Sequence, residues 1–264
     1  YSPHENDARM LGAILAGMPT LSPGIMHPFG AIATQWPYDK ALAFEQVFTA
    51  ENIANSSANG GLRGNIMRTP QHRQPNIAIE GLVTEAAAAA GVDPIEYRIR
   101  HTSNAPYIRL LKEVSAAHGW KPRPSPNLGA RRTGSTPVAG RGLGGIFRGG
   151  IYVAMIDLEV TPATGTVKLT AITLGVDVGK VMNPRHLTSM QQGGAVMGIG
   201  EALFEEVTFD ASTVTSTDWS KYRIPRMADL PEMKVVFTSR NDRGISGGGE
   251  GANGAAPVAI MAAF

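Results

Sequence analysis

A single carboxylate among glycines is the first candidate for chemistry in this sequence. Four glycines flank Glu250, namely Gly247, Gly248, Gly249 and Gly251. Glycine has no Cβ, so the backbone at these positions can approach a ligand closely. Glu250 is also the only charged residue between Arg243 and the end of the chain. A carboxylate held by bare backbone, with no cation beside it in the sequence, is a candidate general base. The alternative is a flexible surface loop in which this glutamate is solvated.

Two further segments are candidates for binding a cofactor. Arg68, Thr69 and Pro70 precede a predicted helix, where an arginine and free backbone N–H groups can bind phosphate or carbonyl groups. An ordinary loop with a surface arginine is the competing interpretation. Gln191 and Gln192 precede a glycine-rich run that lacks the Lys-Ser/Thr pair of a P-loop, so the sequence supports a nucleotide site there only weakly. Close approach of another backbone would also explain these glycines.

The remaining polar motifs favour structural roles. Asp177 and Asn183 follow a predicted strand and can shape a turn through bonds to their own backbone. No histidine or acid lies at ligand spacing from them, so we prefer a turn to a metal site. The chain contains no cysteine, which excludes disulfides, thiolate nucleophiles and thiolate-bound clusters. Any iron–sulfur relay would therefore have to lie on another chain.

The composition indicates a globular, loop-rich protein. The chain has 264 residues, of which 17% are charged, with 31 glycines and 18 prolines. This length is sufficient for a buried core, and the low charge argues against disorder. The net charge of +2 is too small to indicate nucleic-acid binding. In addition, no stripe of Lys or Arg alternates with aromatic residues. The chain begins at Tyr1 without Met and stops at Phe264 inside an apolar run, so we expect a fragment of a longer polypeptide.

Hydrophobic periodicity predicts an α+β fold with mixed sheets and packed helices, because strands and helices do not alternate strictly. Asp93 and Pro94 give a strong helix start, as N-cap and first helical residue. The predicted helices cover residues 39–47, 75–90, 93–100, 107–118 and 187–204. The predicted strands cover residues 151–160, 166–176, 207–209, 212–216 and 233–238, and the first two form a hairpin.

This pattern divides the chain into three parts. Residues 1–120 are predicted to be a part that contains helices, although residues 1–66 show no clean period, and residues 151–264 are predicted to be an α+β part that carries the Glu250 loop. Residues 121–150 between them contain six cations, no acid and many prolines and glycines, which is typical of a solvated linker. The alternative for this segment is a contact with an anionic cofactor or a partner subunit.

From about Met67 to Phe264 the chain resembles the C-terminal portion of the molybdopterin-binding large subunit of the molybdenum hydroxylases, the xanthine oxidase family. The similar branch contains isoquinoline 1-oxidoreductase, nicotinate dehydrogenase and aldehyde dehydrogenases. Five landmarks in order carry the resemblance: the Arg-x-Pro loop leading into Ala78-Ile79-Glu80, residues 85–98, Asp177-Val178-Gly179 with Asn183-Pro184, Gly193-Gly194, and Gly249-Glu250.

The resemblance implies a molybdenum–molybdopterin cofactor, with the cytosine dinucleotide form as a candidate, and hydroxylation of an aldehyde or N-heteroaromatic carbon with oxygen from water. Glu250 would be the base that takes the proton from hydroxide on the molybdenum. The Arg68–Pro70 loop, Gln191, Gln192 and the glycines around Glu250 would lie against the cofactor. A Gly-rich apolar loop would desolvate the carboxylate and make it a stronger base.

The resemblance also implies partners. These are the remainder of the large subunit, a small subunit with iron–sulfur clusters, and a flavin or cytochrome c subunit as a further candidate. It implies a bacterial protein and leaves open whether it lies on the cytoplasmic or the periplasmic side of the inner membrane. Gly251 stands where the family often has proline, and Met190 where it commonly has glutamine. A non-catalytic scaffold that only assembles with partners remains the alternative to an enzyme.

Overall fold

The computed structural model describes residues 37–39, 68–69, 72–124, 126, 129 and 133–264. Pro70 and most of the helix expected at residues 39–47 lie outside these ranges. The helices in the described part are α1 (Arg73–Ala89), α2 (Pro94–Arg100), α3 (Ala105–His118), α4 (Pro184–Leu203) and α5 (Gly251–Ala263). The strands are β1 (Val138–Arg148), β2 (Gly150–Thr161), β3 (Thr166–Asp177) and β4 (Met233–Phe237).

The four strands form one mixed sheet in the order β1-β2-β3-β4. The first three are antiparallel neighbours, and β4 pairs with β3 in the parallel direction. The hairpin β2–β3 confirms the strongest strand prediction. With its helices on both faces, this sheet gives the α+β fold that the sequence predicts.

Both faces of the sheet are buried, which explains the long apolar runs in β2 and β3. Ala154 and Ile156 lie in the core on the side of α4 and α5. Val153 and Met155, at the alternate positions of β2, pack in a second core with residues of α1 and α3. The sheet therefore holds the N-terminal helices and the C-terminal helix in one body of described residues.

Alternate glycines on β1 allow α5 to pack directly on the strand backbone. A Cβ at Gly142 would overlap the carbonyl oxygen of Ala259, and one at Gly144 would lie 2.7 Å from the Val258 Cβ. Residues 121–150 are predicted to form a linker, and this is wrong for Val138–Arg148, which form strand β1. The glycines there permit close packing against a helix that lies far away in the sequence, and do not mark a flexible segment.

Glycines of α4 play a similar role. A Cβ at Gly198 would lie 2.6 Å from the Asn253 carbonyl oxygen, and one at Gly200 would lie 2.8 Å from Pro225 Cδ. Close packing against other residues therefore explains these two glycines without a bound nucleotide. Gly193 alone in the run has open space, with no heavy atom within 4 Å of an added Cβ.

Other element predictions succeeded in part. The boundaries of α1 to α4 agree with the sequence to within a few residues, and Asp93 caps α2 by accepting the N–H of Ile95. The strands predicted at residues 207–209 and 212–216 are wrong, because this segment forms only an isolated bridge between Phe209 and Val214. Asp210 shapes a turn there by accepting the N–H of Ser212 at 2.8 Å. Helix α5 was not predicted.

The turn after β3 has the structural role that the sequence predicts. Asp177 is buried and accepts the Gly179 N–H at 3.0 Å. Its other carboxylate oxygen pairs with Arg109 at 3.1 Å and with Arg240 at 3.0 Å. Asn183 caps α4 by accepting the His186 N–H at 2.9 Å. These contacts leave no need for a metal ion to explain the two side chains.

A buried ion pair joins the N-terminal helices to the sheet. Glu80 of α1 and Arg98 of α2 are 1% and 0% exposed. Arg98 Nη2 lies 3.0 Å from Glu80 Oε2, and the same oxygen accepts the Gly145 N–H of β1 at 3.1 Å. Tyr38 donates to Glu80 Oε1 at 2.5 Å. Burial, followed by the charge of Glu80, raises the pKa of Tyr38 well above its usual value.

Candidate functional site

The glycine-rich loop, residues 247–250, runs directly into α5, and side chains from other elements bind its carbonyl groups. Tyr152 Oη, on β2, donates to the carbonyl oxygen of Gly247 at 2.5 Å. Gln191 Nε2, on α4, donates to that of Gly248 at 2.6 Å. Gln191 is 1% exposed, so its carboxamide is committed to holding the loop.

The next two carbonyl groups are bound from the segment before α1. Arg68 Nε donates to the carbonyl oxygen of Gly249 at 2.7 Å, and Arg68 Nη2 also contacts it. Thr69 Oγ1 donates to the carbonyl oxygen of Glu250 at 2.6 Å. All four carbonyl groups of the glycine-rich loop thus accept a side-chain hydrogen bond. The loop has one defined course, in spite of its glycines.

Thr69 is held in a conformation that the surrounding structure must enforce. Its φ of 66° is left-handed, which is unusual for a β-branched residue and costs of the order of 1–3 kcal/mol. Asn253 of α5 is 0% exposed, and its amide lies 3.1 Å from Thr69 Oγ1. With its nitrogen turned toward Thr69, this amide also donates to the Arg68 carbonyl at 2.9 Å and accepts the Gly198 N–H at 3.1 Å. Asn253 therefore links the Arg68–Thr69 segment to α4 and α5.

The carboxylate of Glu250 is paired with an arginine. Arg148 Nε, at the end of β1, donates to Glu250 Oε2 at 2.8 Å. The two side chains are 31% and 37% exposed. The sequence correctly shows no cation next to Glu250 along the chain, but the fold brings one from a distant strand. The expected desolvation by an apolar loop is incomplete, because the carboxylate is partly exposed in the described residues.

Tyr152 lies beside this pair. Burial raises the pKa of Tyr152 to about 12, with a further contribution from the charge of Glu250, while Arg148 and Arg243 act in the opposite direction. Its hydroxyl group therefore stays protonated and remains a donor to the loop. A Cβ on Gly251 would overlap the Tyr152 ring, so this glycine serves packing at the start of α5.

The predicted cofactor residues do not all converge on the loop. Gln192 Nε2 points to the Met233 carbonyl oxygen, 3.4 Å away at the start of β4. Pro70 lies outside the described residues. Arg68, Thr69 and Gln191 are brought together, but as donors to the loop backbone. Sequence reasoning missed Arg148, Tyr152 and Asn253, although the Arg-Gly-Gly sequence after Phe147 is a hairpin signal that places an arginine at a strand end.

Other features of the described residues lie away from Glu250. A cleft of about 730 Å³ is lined by Lys121, Arg123 and Arg141 together with Asp157 and Glu159. It lies along β1 and β2 and includes no residue of the glycine-rich loop. Within the described part, no group of three or more His, Asp or Glu side chains could hold a metal ion, and no helix is long and apolar enough to cross a membrane.

Comparison with known proteins identifies the family. The family model described as molybdopterin cofactor-binding domain matches residues 84–231. The chain belongs to this family. Among its relatives, a nicotinate dehydrogenase chain of Pseudomonas putida is 30% identical over 214 residues, covering 77% of this chain and 18% of the relative. The beta chain of isoquinoline 1-oxidoreductase of Brevundimonas diminuta is 24% identical over 166 residues, covering 61% of this chain and 20% of the relative.

The chain therefore spans about a fifth of the length of these relatives. Among solved structures, quinoline 2-oxidoreductase from Pseudomonas putida 86 is similar at 26% identity with a TM-score of 0.39. The match covers 43% of this chain and 15% of that one.

The residues at the glycine-rich loop fit a molybdopterin cofactor. Gly247 is exposed, and no heavy atom lies within 4 Å of the position of an added Cβ. A large polar group could therefore approach the backbone at Gly247 without displacing a side chain. Gly248 and Gly249 beside it are partly exposed, whereas the bonds from Arg68, Thr69 and Gln191 keep the loop in place. These three residues would position the loop for the cofactor.

Proposed function

We propose that this chain is the part of a molybdenum hydroxylase large subunit that carries the catalytic base. The substrate would be an aldehyde or an N-heteroaromatic compound, hydroxylated with oxygen from water. The observation that carries this proposal is the location of Glu250, a partly exposed carboxylate at the end of a loop whose four carbonyl groups are fixed. When bound, the molybdenum cofactor would supply the electron acceptor and activate the water-derived oxygen.

In this proposal the residues around Glu250 have separate tasks. Glu250 Oε2 accepts the bond from Arg148, while Oε1 has no hydrogen-bond partner among the described residues. Oε1 is therefore the atom at which the proton would be accepted. Tyr152 and Gln191 fix the backbone before Glu250. The Glu250 side chain therefore has a defined position relative to the exposed backbone at Gly247. Such positioning is a large part of what a general base requires.

The proposal includes partners and a location that the family resemblance suggests. Electrons would leave through an iron–sulfur subunit, since the chain has no cysteine to hold such a cluster. A flavin or cytochrome c subunit would follow, the cofactor would have the cytosine dinucleotide form, and the remainder of the large subunit would complete the cofactor site. The enzyme would be bacterial and act on one side of the inner membrane.

Replacement of Glu250 by glutamine in the assembled holoenzyme tests the function. Glutamine keeps an oxygen for the Arg148 bond but cannot act as the base. We expect turnover to fall by roughly 10²- to 10⁴-fold, the usual contribution of a general base, with molybdenum and pterin content unchanged. Glu206→Gln, the same change at an exposed glutamate, is the matched control and should leave turnover unaltered.

The two possible failures of this test have different meanings. Near-normal turnover of the Glu250→Gln enzyme would remove the base assignment. A purified wild-type complex without molybdenum or pterin would instead support the non-catalytic scaffold. Elemental analysis and pterin fluorescence on the same preparation separate these cases.

A further inference from the structure

We propose that Arg148 binds a carboxylate of the substrate and makes this site selective for carboxylated substrates. The proposal rests on the proposed function and adds a substrate class to it. Arg148 is the last residue of β1 and is followed by Gly149, whose φ of 69° turns the chain into β2. The turn places the guanidinium beside Glu250, where both side chains are partly exposed next to the glycine-rich loop.

The guanidinium of Arg148 has unused hydrogen-bonding capacity. Its Nε is bound to Glu250 Oε2, and its Nη1 lies 3.4 Å from His72 Nδ1. Its Nη2 has no partner among the described residues, and the side chain is 31% exposed. A guanidinium that is fixed at Nε and accessible at its other edge presents two parallel N–H donors. This is the arrangement that binds a carboxylate in a bidentate manner.

The charge around the loop also favours an anion. Arg68 donates to the Gly249 carbonyl oxygen and contacts the sulfur of Met197, and it has no acidic partner among the described residues. Arg68 and Arg148 together carry two positive charges against the single negative charge of Glu250. An incoming carboxylate would compensate the remaining charge. It would also compete with Glu250 for Arg148 and so release the base when a suitable substrate binds.

The experiment compares substrates that differ only in this charge. The pairs are 4-formylbenzoate with 4-formylbenzamide, and pyridine-3-carboxylate with pyridine-3-carboxamide, assayed with the holoenzyme. The measured quantity is the ratio of kcat/KM for the acid to kcat/KM for the amide. Effects of Arg148 on the folding or cofactor content of the enzyme act on both members of a pair and cancel in this ratio, whereas binding of the substrate carboxylate, with the release of Glu250 that follows from it, acts on the acid alone. We expect Arg148→Gln to lower the ratio by about 10- to 100-fold, mainly through KM.

Arg148→Lys is the matched variant. It keeps the charge but loses the planar fork, so it should restore only part of the ratio. An unchanged ratio in Arg148→Gln would show a purely structural role and overturn the proposal. Loss of pterin from the Arg148→Gln enzyme would also overturn it, because the guanidinium would then bind a phosphate of the cofactor.

Calorimetric binding of benzoate and benzamide to the holoenzyme tests the proposal without turnover. The wild-type protein should bind benzoate more tightly than benzamide, and Arg148→Gln should abolish that difference. Equal affinities in the wild-type protein would overturn the proposal. This measurement also separates the role of Arg148 from that of Glu250. If the Glu250→Gln enzyme kept its turnover but the wild-type protein preferred benzoate, the anion site at Arg148 would stand and the base assignment would fail.

Discussion

The contact between α4 and α5 predicts a sharp difference between two glycines of the same helix. Gly198 and Gly193 both lie within α4, so replacement by alanine gives each the same gain in helix propensity, about 1 kcal/mol. Their surroundings differ. A Cβ at Gly198 would lie 2.6 Å from the Asn253 carbonyl oxygen and 2.9 Å from Pro257 Cδ, whereas a Cβ at Gly193 meets no heavy atom within 4 Å.

The magnitude follows from the kind of atom that is contacted. The Asn253 oxygen belongs to the backbone of a buried helix, so it cannot rotate away as a flexible side chain would. The clash between the new Cβ and this oxygen can be removed only if α5 moves. Overpacking of this kind typically costs about 1–3 kcal/mol. After the propensity gain is subtracted, Gly198→Ala should destabilise the chain by up to about 2 kcal/mol. Gly193→Ala should stabilise it by about 0.5–1 kcal/mol.

Urea denaturation of the two purified variants, followed by far-UV circular dichroism, measures these values. The midpoints should move in opposite directions at similar m-values. In the holoenzyme Gly198→Ala should also lower turnover, because α5 begins at the residue after Glu250 and its displacement moves the base. Equal stabilisation by both substitutions would show that α5 does not approach α4 closely, and would remove the packing argument for these glycines.

Two further predictions concern the charged groups of the sheet. Arg98→Ala should destabilise the chain by roughly 3–5 kcal/mol, because it leaves Glu80 charged and buried without its partner; a loss below about 1 kcal/mol in urea denaturation would contradict this. Burial alone would raise the pKa of Asp157, but hydrogen bonds from His118 and Arg141 outweigh it and lower that pKa to about 2. A carboxyl group whose pKa is lowered in the folded state stabilises the fold at pH values above its unfolded pKa of about 4. The free energy of unfolding should therefore fall by about 2 kcal/mol as the pH decreases from about 4 toward 2. The Asp157→Asn variant should not show this decrease.

Local features of the fold could be predicted because their causes are close together in the sequence. Asp93 and Pro94 specify the start of α2 through a side-chain cap and a fixed φ, and the cap is present in the structure. The β2–β3 hairpin follows from two apolar runs around a turn that contains Gly165, whose φ is 68°. Neither feature depends on a partner elsewhere in the chain.

Strand β1 and helix α5 could not be predicted, because the meaning of a glycine depends on what approaches it. Gly140 and Gly142 would be compatible with a flexible linker if nothing packed on them. In the structure, the backbone of α5 occupies the space that their side chains would fill. The helix itself contains Gly254 and Pro257, both of which lower helix propensity, so its 13 residues are stabilised by burial between β1 and α4.

In the candidate site, too, features set by neighbouring residues could be predicted and contacts between distant residues could not. The position of Glu250 in a loop of glycines is readable from the sequence, whereas the cofactor-binding role of Arg68 and Gln191 is predicted through the family resemblance. In the structure both donate to the backbone of the glycine-rich loop, and their contact with a cofactor stays a prediction. Arg148 could not be assigned to the site because 102 residues separate it from Glu250 and only the β1 pairing brings it there.

The ion pair between Glu250 and Arg148 connects the base assignment to the choice of substrate. A base has to contact its proton donor, and the bond from Arg148 Nε occupies one of the two carboxylate oxygens of Glu250. If the pair persisted during turnover, only Oε1 of Glu250 would be available to the proton donor. A substrate carboxylate that occupies the guanidinium removes this restriction, because the same contact that recognises the substrate loosens the pair. A neutral substrate cannot do so, and its turnover would include the cost of separating Glu250 from Arg148 without compensation.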